Sequence, residues 1–142
     1  MKNEPFRLEH YATIPKEYEE VLYHGISERA FQAKGLSPIR PFSIFIKDQK
    51  EQVLGGASGT LFYGSLYVDS LWVDETLRNQ GWGKKLMYEA EKIGRAHGAL
   101  FVTLNTMDWE ALPFYQKLGY SIEFTRKGYE KDSKMFMLRK NL

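Results

Sequence analysis

The chain has 142 residues, enough for one domain and too short for two ordinary ones. Its composition, 43% hydrophobic and 27% charged, is that of a folded globular chain and excludes a disordered one. A net charge of +2 is too weak to argue for nucleic acid, and the lack of cysteine excludes disulfides, thiolate metal sites and a cysteine nucleophile.

His10, His24 and His97 show no metal-ligand spacing, so no metal is expected. The first residues, MKNEPFRLEHYA, have no apolar signal region, and no apolar run approaches the ~18 residues of a membrane span. The expectation is a soluble cytoplasmic protein of one domain, residues 1–142, with no nucleic-acid or membrane partner.

Phe6 to Tyr11 alternates weakly and reads as an edge strand. Pro15 opens a helical pattern in which Tyr18, Val21, Leu22, Gly25 and Ile26 recur at i, i+3, i+4 spacing. Gly35, Pro38 and Pro41 mark a loop. Phe42 to Lys47, Val53 to Tyr63 and Leu66 to Val73 then read as three strands of an antiparallel meander, with a tight turn at Gly64-Ser65. Gly55, Gly56 and Gly59 suggest a bulge or a close backbone approach inside the second of them. From Trp82 to His97 the period becomes helical, through Leu86, Met87, Ala90 and Ile93, and Gly98 is a natural stop. Leu100 to Leu104 is a buried-type strand, Asp108 to Leu118 a short helix, and Tyr120 to Phe124 and Lys134 to Arg139 the last strands. A strand-helix-strand passage after a meander gives a mixed α/β fold with helices packed on a mixed sheet.

The informative stretch is LWVDETLRNQGWGKK, Leu71 to Lys85. Gly81 and Gly83 lie where the chain enters a helix, whose first N–H groups lack internal partners and carry about half a positive charge. Arg78, Lys84 and Lys85 add cations beside them, so the bend is a plausible pyrophosphate cradle. Leu86 stands where a dinucleotide fingerprint needs its third glycine, and the P-loop spacing is absent. A lone G-x-G is equally compatible with structural capping.

Arg78-Asn79-Gln80-Gly81-Trp82-Gly83 resembles the Gln/Arg-x-x-Gly-x-Gly/Ala signature of the GNAT superfamily of N-acetyltransferases. It follows a strand and precedes a helix, as in that family. Ala111-Leu112-Pro113-Phe114-Tyr115-Gln116-Lys117-Leu118-Gly119-Tyr120 resembles the family's A-x-x-F-Y-x-x-x-G-F/Y element, at the expected distance. Two ordered motifs are more specific than either alone. The first forty or so residues match only in outline. The resemblance implies a mostly antiparallel sheet of about six or seven strands, splayed between the fourth and fifth and flanked by about four helices.

It also implies a function: transfer of an acetyl group from acetyl-CoA to a primary amine of a small molecule or peptide, by direct attack in a ternary complex. The cosubstrate contacts carried over are the main chain of Leu71, Trp72 and Val73 for the pantetheine arm. Arg78, Asn79, Gln80, Gly81, Trp82, Gly83 and Lys84 carry over for the pyrophosphate. Tyr115 takes the place of the family's general acid; a phenol of pKa about 10 is protonated at neutral pH and can donate to the departing sulfur. A strand N–H near Trp72 or Val73 would stabilise the oxyanion. Many relatives carry asparagine where this chain has Asp108, which accepts but does not donate when ionised. Asn105 is the substitute contact, and Asp108 is alternatively a helix N-cap.

Asp69 is the candidate general base, an acidic residue in a mostly apolar strand, where a charge is costly without a role or partner. A salt bridge explains it equally well, and His10, His24, Asp74, Glu75 or a water chain are alternatives. Tyr11, Tyr18, Tyr23, Tyr63 and Tyr67 are candidates for an acceptor pocket or for the core, and Phe31 and Gln32 for a gate. No acidic patch of the kind that holds polyamines stands out. A homodimer is compatible with the sequence, and the alternative function is a non-catalytic acyl-CoA-binding sensor or interaction module.

Overall fold

A computed structural model describes residues 4–142. The chain divides into two compact units, one ending at Pro38 and the other running Ile39–Leu142. In the first unit, α1 (Lys16–Lys34) starts behind Pro15 and ends at Gly35. There a left-handed φ of 67° lets the Gly35 N–H cap the Phe31 carbonyl. The helix is the expected one, but its apolar stripe, Val21, Leu22 and Ile26, is exposed. Phe6 to Tyr11 is not a strand; Arg7, Glu9 and Tyr11 bond to one another through their side chains instead.

The second unit is built on six strands, β1 (Arg40–Lys47), β2 (Val53–Phe62), β3 (Ser65–Val73), β4 (Phe101–Met107), β5 (Ser121–Tyr129) and β6 (Ser133–Asn141). Their order in the sheet is β1-β2-β3-β4-β6-β5, antiparallel throughout except for the β3–β4 pair. Two helices belong to it, α2 (Trp82–Ala96) and α3 (Leu112–Lys117). The described residues thus hold three helices where about four were expected. The β2–β3 turn is Tyr63-Gly64, one residue earlier than expected. Both residues have positive φ, the type I′ geometry that matches strand twist.

The parallel pairing of β3 with β4 covers only Ser65–Val68 against Phe101–Leu104. Beyond it the two strands run on without pairing, so the sheet is splayed there. The splayed strand is the expected segment; it ranks third because Phe6 to Tyr11 forms no strand. The other side of β3 is irregular at the same place. The β2–β3 register slips between Ser58 and Gly59, leaving Asp69 as the extra residue of a bulge. A bulge bends its strand and raises the local twist.

The core lies between α2 and the sheet. Leu66, Met87, Val102, Leu104 and Leu138 are almost wholly buried there, each stabilising the fold by about 1.5–3 kcal/mol. One charge is buried with them. Glu91, on the inner face of α2, is 2% exposed; it accepts from the Tyr120 hydroxyl at 2.9 Å and from Lys140 Nζ at 2.8 Å. This junction ties α2 to β6 and to the start of β5. Removing one member of a buried pair strands the other, and Lys140 keeps some exposure through which it can rehydrate. Glu91→Ala is therefore expected to cost about 2 kcal/mol, read from a denaturant midpoint.

Candidate active site

The bend between β3 and α2 is shaped by backbone conformation. Asp74 caps a short 3-10 turn, Glu75–Leu77, by accepting from Thr76. Asn79 and Gly81 then take left-handed φ values of 61° and 82°, with Gln80 between them at negative φ. Left-handed steps of this kind can turn nearby N–H groups toward a concavity that suits an anion. Lys85 closes the first turn of α2 onto the Gly81 carbonyl at 3.1 Å. Among the described residues, none of the amides of residues 79–84 donates to a protein acceptor. Arg78 Nε donates to the Val73 carbonyl at 3.3 Å and pins the bend to the strand end.

The two glycines act differently. Gly81 supplies the left-handed step and faces open space. Gly83 lines the cavity over the bend and has a packing role as well. A Cβ there would meet the Phe114 ring at 3.2 Å, so the missing side chain lets α3 approach α2.

A cavity of about 920 Å³ opens over this bend. Leu71, Trp72, Val73, Arg78, Asn79, Gly81, Trp82, Gly83 and Lys84 line it on one side, and Trp109, Glu110, Ala111, Pro113 and Phe114 on the other. All three tryptophans of the chain are among them. A second cavity of about 370 Å³ fills the splay and is lined by Asp69, Asn105, Glu110 and Tyr115, among others. Leu71, Trp72, Glu110 and Ala111 line both, so the two adjoin as parts of a cleft. Gln80 and Asp108 lie outside it. The Gln80 amide donates back to the Thr76 carbonyl, and the Asp108 N–H donates to the Lys134 carbonyl. Asp108 is not the helix cap, because α3 begins only at Leu112, behind Ala111.

On β3, Val73 stands opposite Gly55, and the Asp74 N–H donates to the Leu54 carbonyl. That makes Gly55–Val73 a non-hydrogen-bonded pair, so Val73, and Leu71 two residues before it, point their N–H groups away from β2 and into the cleft. Trp72 turns its main chain toward β2, where its carbonyl approaches Gly55. Of the two expected oxyanion donors, the geometry favours Val73.

Tyr115, on α3, is 7% exposed and packs edge-on against Phe114 and Tyr120. Among the described residues, its hydroxyl has no protein partner, yet no buried side-chain polar atom lacks one. The hydroxyl therefore reaches the cleft surface. Burial, and then the charge of Glu110, push its pKa up to about 12. Burial and the Glu91 carboxylate push Tyr120 well above its ordinary value too. Both folded-state values lie above the unfolded one, so the stabilisation is complete below about pH 10 and lost as pH rises through the folded values. Stability is expected to fall by about 1.4 kcal/mol per pH unit for each tyrosine above pH 10, checked by urea midpoints at increasing pH.

Asp69 Oδ1 accepts from Ser58 Oγ at 3.0 Å, and Asn105 donates to the Tyr67 hydroxyl at 3.3 Å. Burial, then the charge of Asp69, raise the Tyr67 pKa. Tyr11 and Tyr18 line a separate hollow in the first unit with Pro5, Phe6, Arg7 and Glu9. Sequence reasoning missed Trp109, Glu110 and Glu91. Glu91 carried a signal, since it falls one turn after Met87 on the apolar face of α2. Glu110 carried none.

Residues 8–120 match the acetyltransferase (GNAT) family. The chain is 36% identical over 87 residues to Acetyltransferase Atu2258 of Agrobacterium fabrum, covering 61% of this chain and 64% of that protein. The match therefore spans just under two thirds of that relative's length. A solved structure from Agrobacterium tumefaciens superposes with a TM-score of 0.80 at 26% identity, over 96% of this chain and 100% of the other. An aminoglycoside 6′-N-acetyltransferase complexed with coenzyme A shares the fold, with a TM-score of 0.62 at 20% identity over 71% of this chain and 72% of the other. Since the family match takes in both motifs, the bend and the splayed strands between them, the chain belongs to the acetyltransferase (GNAT) family.

Proposed function

We propose that the protein transfers an acetyl group from acetyl-CoA to a primary amine of a small molecule or peptide, by direct attack within a ternary complex. One observation carries this reading: the bend with free amides at residues 79 and 81–84 and the unpartnered Tyr115 hydroxyl lie on adjoining cavities. The coenzyme A held by the aminoglycoside acetyltransferase of the same fold supports it. The family match runs across both compact units, which favours one catalytic domain. A cytoplasmic site of action fits the supply of acetyl-CoA.

On this reading, the amides of residues 79–84, with Arg78 and Lys84, hold the diphosphate of the cosubstrate. The N–H groups of Leu71 and Val73 face its arm, as an added strand would. The acceptor arrives as an ammonium and loses one proton to reach its nucleophilic form. Asp69 is the carboxylate we assign to take that proton. The nitrogen then bonds to the acetyl carbon, the carbon–sulfur bond breaks, and a second nitrogen proton balances the thiolate as thiol. The Val73 N–H is placed to stabilise the oxygen that becomes negative on the way. Tyr115 donates a hydrogen bond toward the sulfur.

Two measurements test the reading. Coenzyme A at a hundredfold excess over its Kd is expected to stabilise the protein by about 2.7 kcal/mol, seen as a raised Tm. Thiol release from acetyl-CoA in the presence of an amine panel is expected to depend on the amine. No thermal shift with coenzyme A would remove the cradle from the account, and a shift without thiol release against any amine would make the protein a binding module.

A further inference from the structure

The two ends of the cleft differ in charge. Around the bend, Arg78 and Lys84 outnumber the single carboxylate of Glu110. In the splay the balance is reversed: among the described residues, Asp69 and Glu110 are the only charged ones lining it, with no lysine, arginine or histidine. They come from β3 and from the turn before α3, and the sequence gives no hint that they share a cavity.

Each is anchored through one oxygen by a neutral donor. Asp69 Oδ1 accepts from Ser58 Oγ, and Glu110 Oε1 accepts from the Met107 N–H at 2.9 Å. Among the described residues, neither carboxylate has an ion-pair partner. The second oxygen of each is left to meet whatever enters. Tyr115, 7% exposed, lines the same cavity, and among the described residues its hydroxyl has no protein partner. A hydroxyl that surfaces in a cavity from an otherwise buried side chain, rather than bonding to the protein, marks a place where a ligand group is received.

We propose that Asp69 and Glu110 together select an acceptor that carries a second positive charge besides its reacting amine, a dicationic amine rather than a neutral or acidic one. The inference rests on the proposed acetyl transfer for which end of the molecule reacts, but its charge argument stands on the cavity alone. Two carboxylates facing one cavity repel a third negative charge and leave one negative charge unmatched by a monocation. A dication satisfies both. Because both carboxylates are exposed, the selection weakens as salt rises.

Three four-carbon probes separate the cases: a diamine, a monoamine and an amine with a carboxylate at the far end. Each is titrated calorimetrically into coenzyme A-loaded protein, and into the free protein if coenzyme A does not bind. The diamine is expected to bind about tenfold more tightly than the monoamine, and the amino acid most weakly. Asp69→Asn and Glu110→Gln keep the oxygens that accept from Ser58 and Met107, so both variants are expected to fold. Each should shrink the diamine-to-monoamine ratio about threefold or more. Equal affinity for the three probes, tightest binding of the amino acid, or a ratio unchanged in both variants would overturn the proposal. Thiol release in the same mixtures separates the two readings. Diamine preference without release removes the acetyl transfer and leaves the charge selection standing. Release with equal kcat/KM for diamine and monoamine keeps the transfer and removes the selection.

Discussion

Tyr115→Phe is expected to lower kcat about a hundredfold while leaving coenzyme A affinity within about twofold, a loss at the low end of what a positioned acid supplies. The reasoning starts from burial. With its pKa pushed up to about 12, the Tyr115 phenol stays protonated throughout the neutral range. A thiol of pKa about 8.5 is the stronger acid by some three units, so full proton transfer from Tyr115 to the leaving sulfur is uphill. What the hydroxyl can do well is donate a hydrogen bond to sulfur as negative charge grows there, in a cavity where water is scarce. The phenylalanine variant removes that donor and little volume. Either role predicts no alkaline loss of kcat through this group until pH approaches 12, where the phenol ionises. Unchanged kcat in the variant would take Tyr115 out of the mechanism. A raised KM with kcat intact would make it a binding residue.

How far the fold and the cleft could be read beforehand follows from how local their causes are. Gly81 announces the start of α2, because only a left-handed step turns the chain there, and Leu86, Met87 and Ala90 then repeat at helical spacing on the buried side. The three strands of the meander alternate clearly, since one face of each meets the core. The first segment misled. Phe6 to Tyr11 alternates, but Arg7 and Glu9 pair with each other, and Phe6 and Leu8 stay exposed. Short alternation without a partner strand has no ladder to join. Asp108 was misplaced for a related reason. An acidic residue before an apolar run resembles a cap, but Pro113 in the first turn and the bond from Asp108 N–H to Lys134 delay the helix. The contacts invisible in the sequence are those between distant segments: Asp69 with Glu110 across one cavity, Glu91 with Tyr120 and Lys140, and Gly83 under Phe114. No periodicity encodes them. The first of them exists because β3 and β4 pair for four residues and then part.

Gly59→Ala tests that parting directly, and it is expected to destabilise the protein by about 3–4 kcal/mol, near the upper end for a single overpacked methyl. A Cβ at Gly59 would lie 1.8 Å from the Tyr67 carbonyl oxygen, a backbone atom with no rotamer into which to retreat. The glycine sits where the β2–β3 register slips, and the slip is what leaves Asp69 unpaired and bends β3. To admit the methyl group, β3 must move off β2 around Tyr67 and Val68, the last residues that pair with β4. The same shift displaces the mouth of the splay, where Asp69 and Tyr115 line the smaller cavity. A Tm lower by roughly 10 °C is expected, with loss of thiol release even at temperatures where the variant stays folded. Gly25→Ala provides the contrast. That glycine lies within α1 with nothing within 4 Å of its added Cβ. Alanine there should stabilise by about 0.5–1 kcal/mol, since only backbone entropy changes. If Gly59→Ala unfolded no more readily than the parent, the bulge would be a consequence of the splay rather than its cause. The opening between β3 and β4 would then have to be sought in the turn that follows Val73.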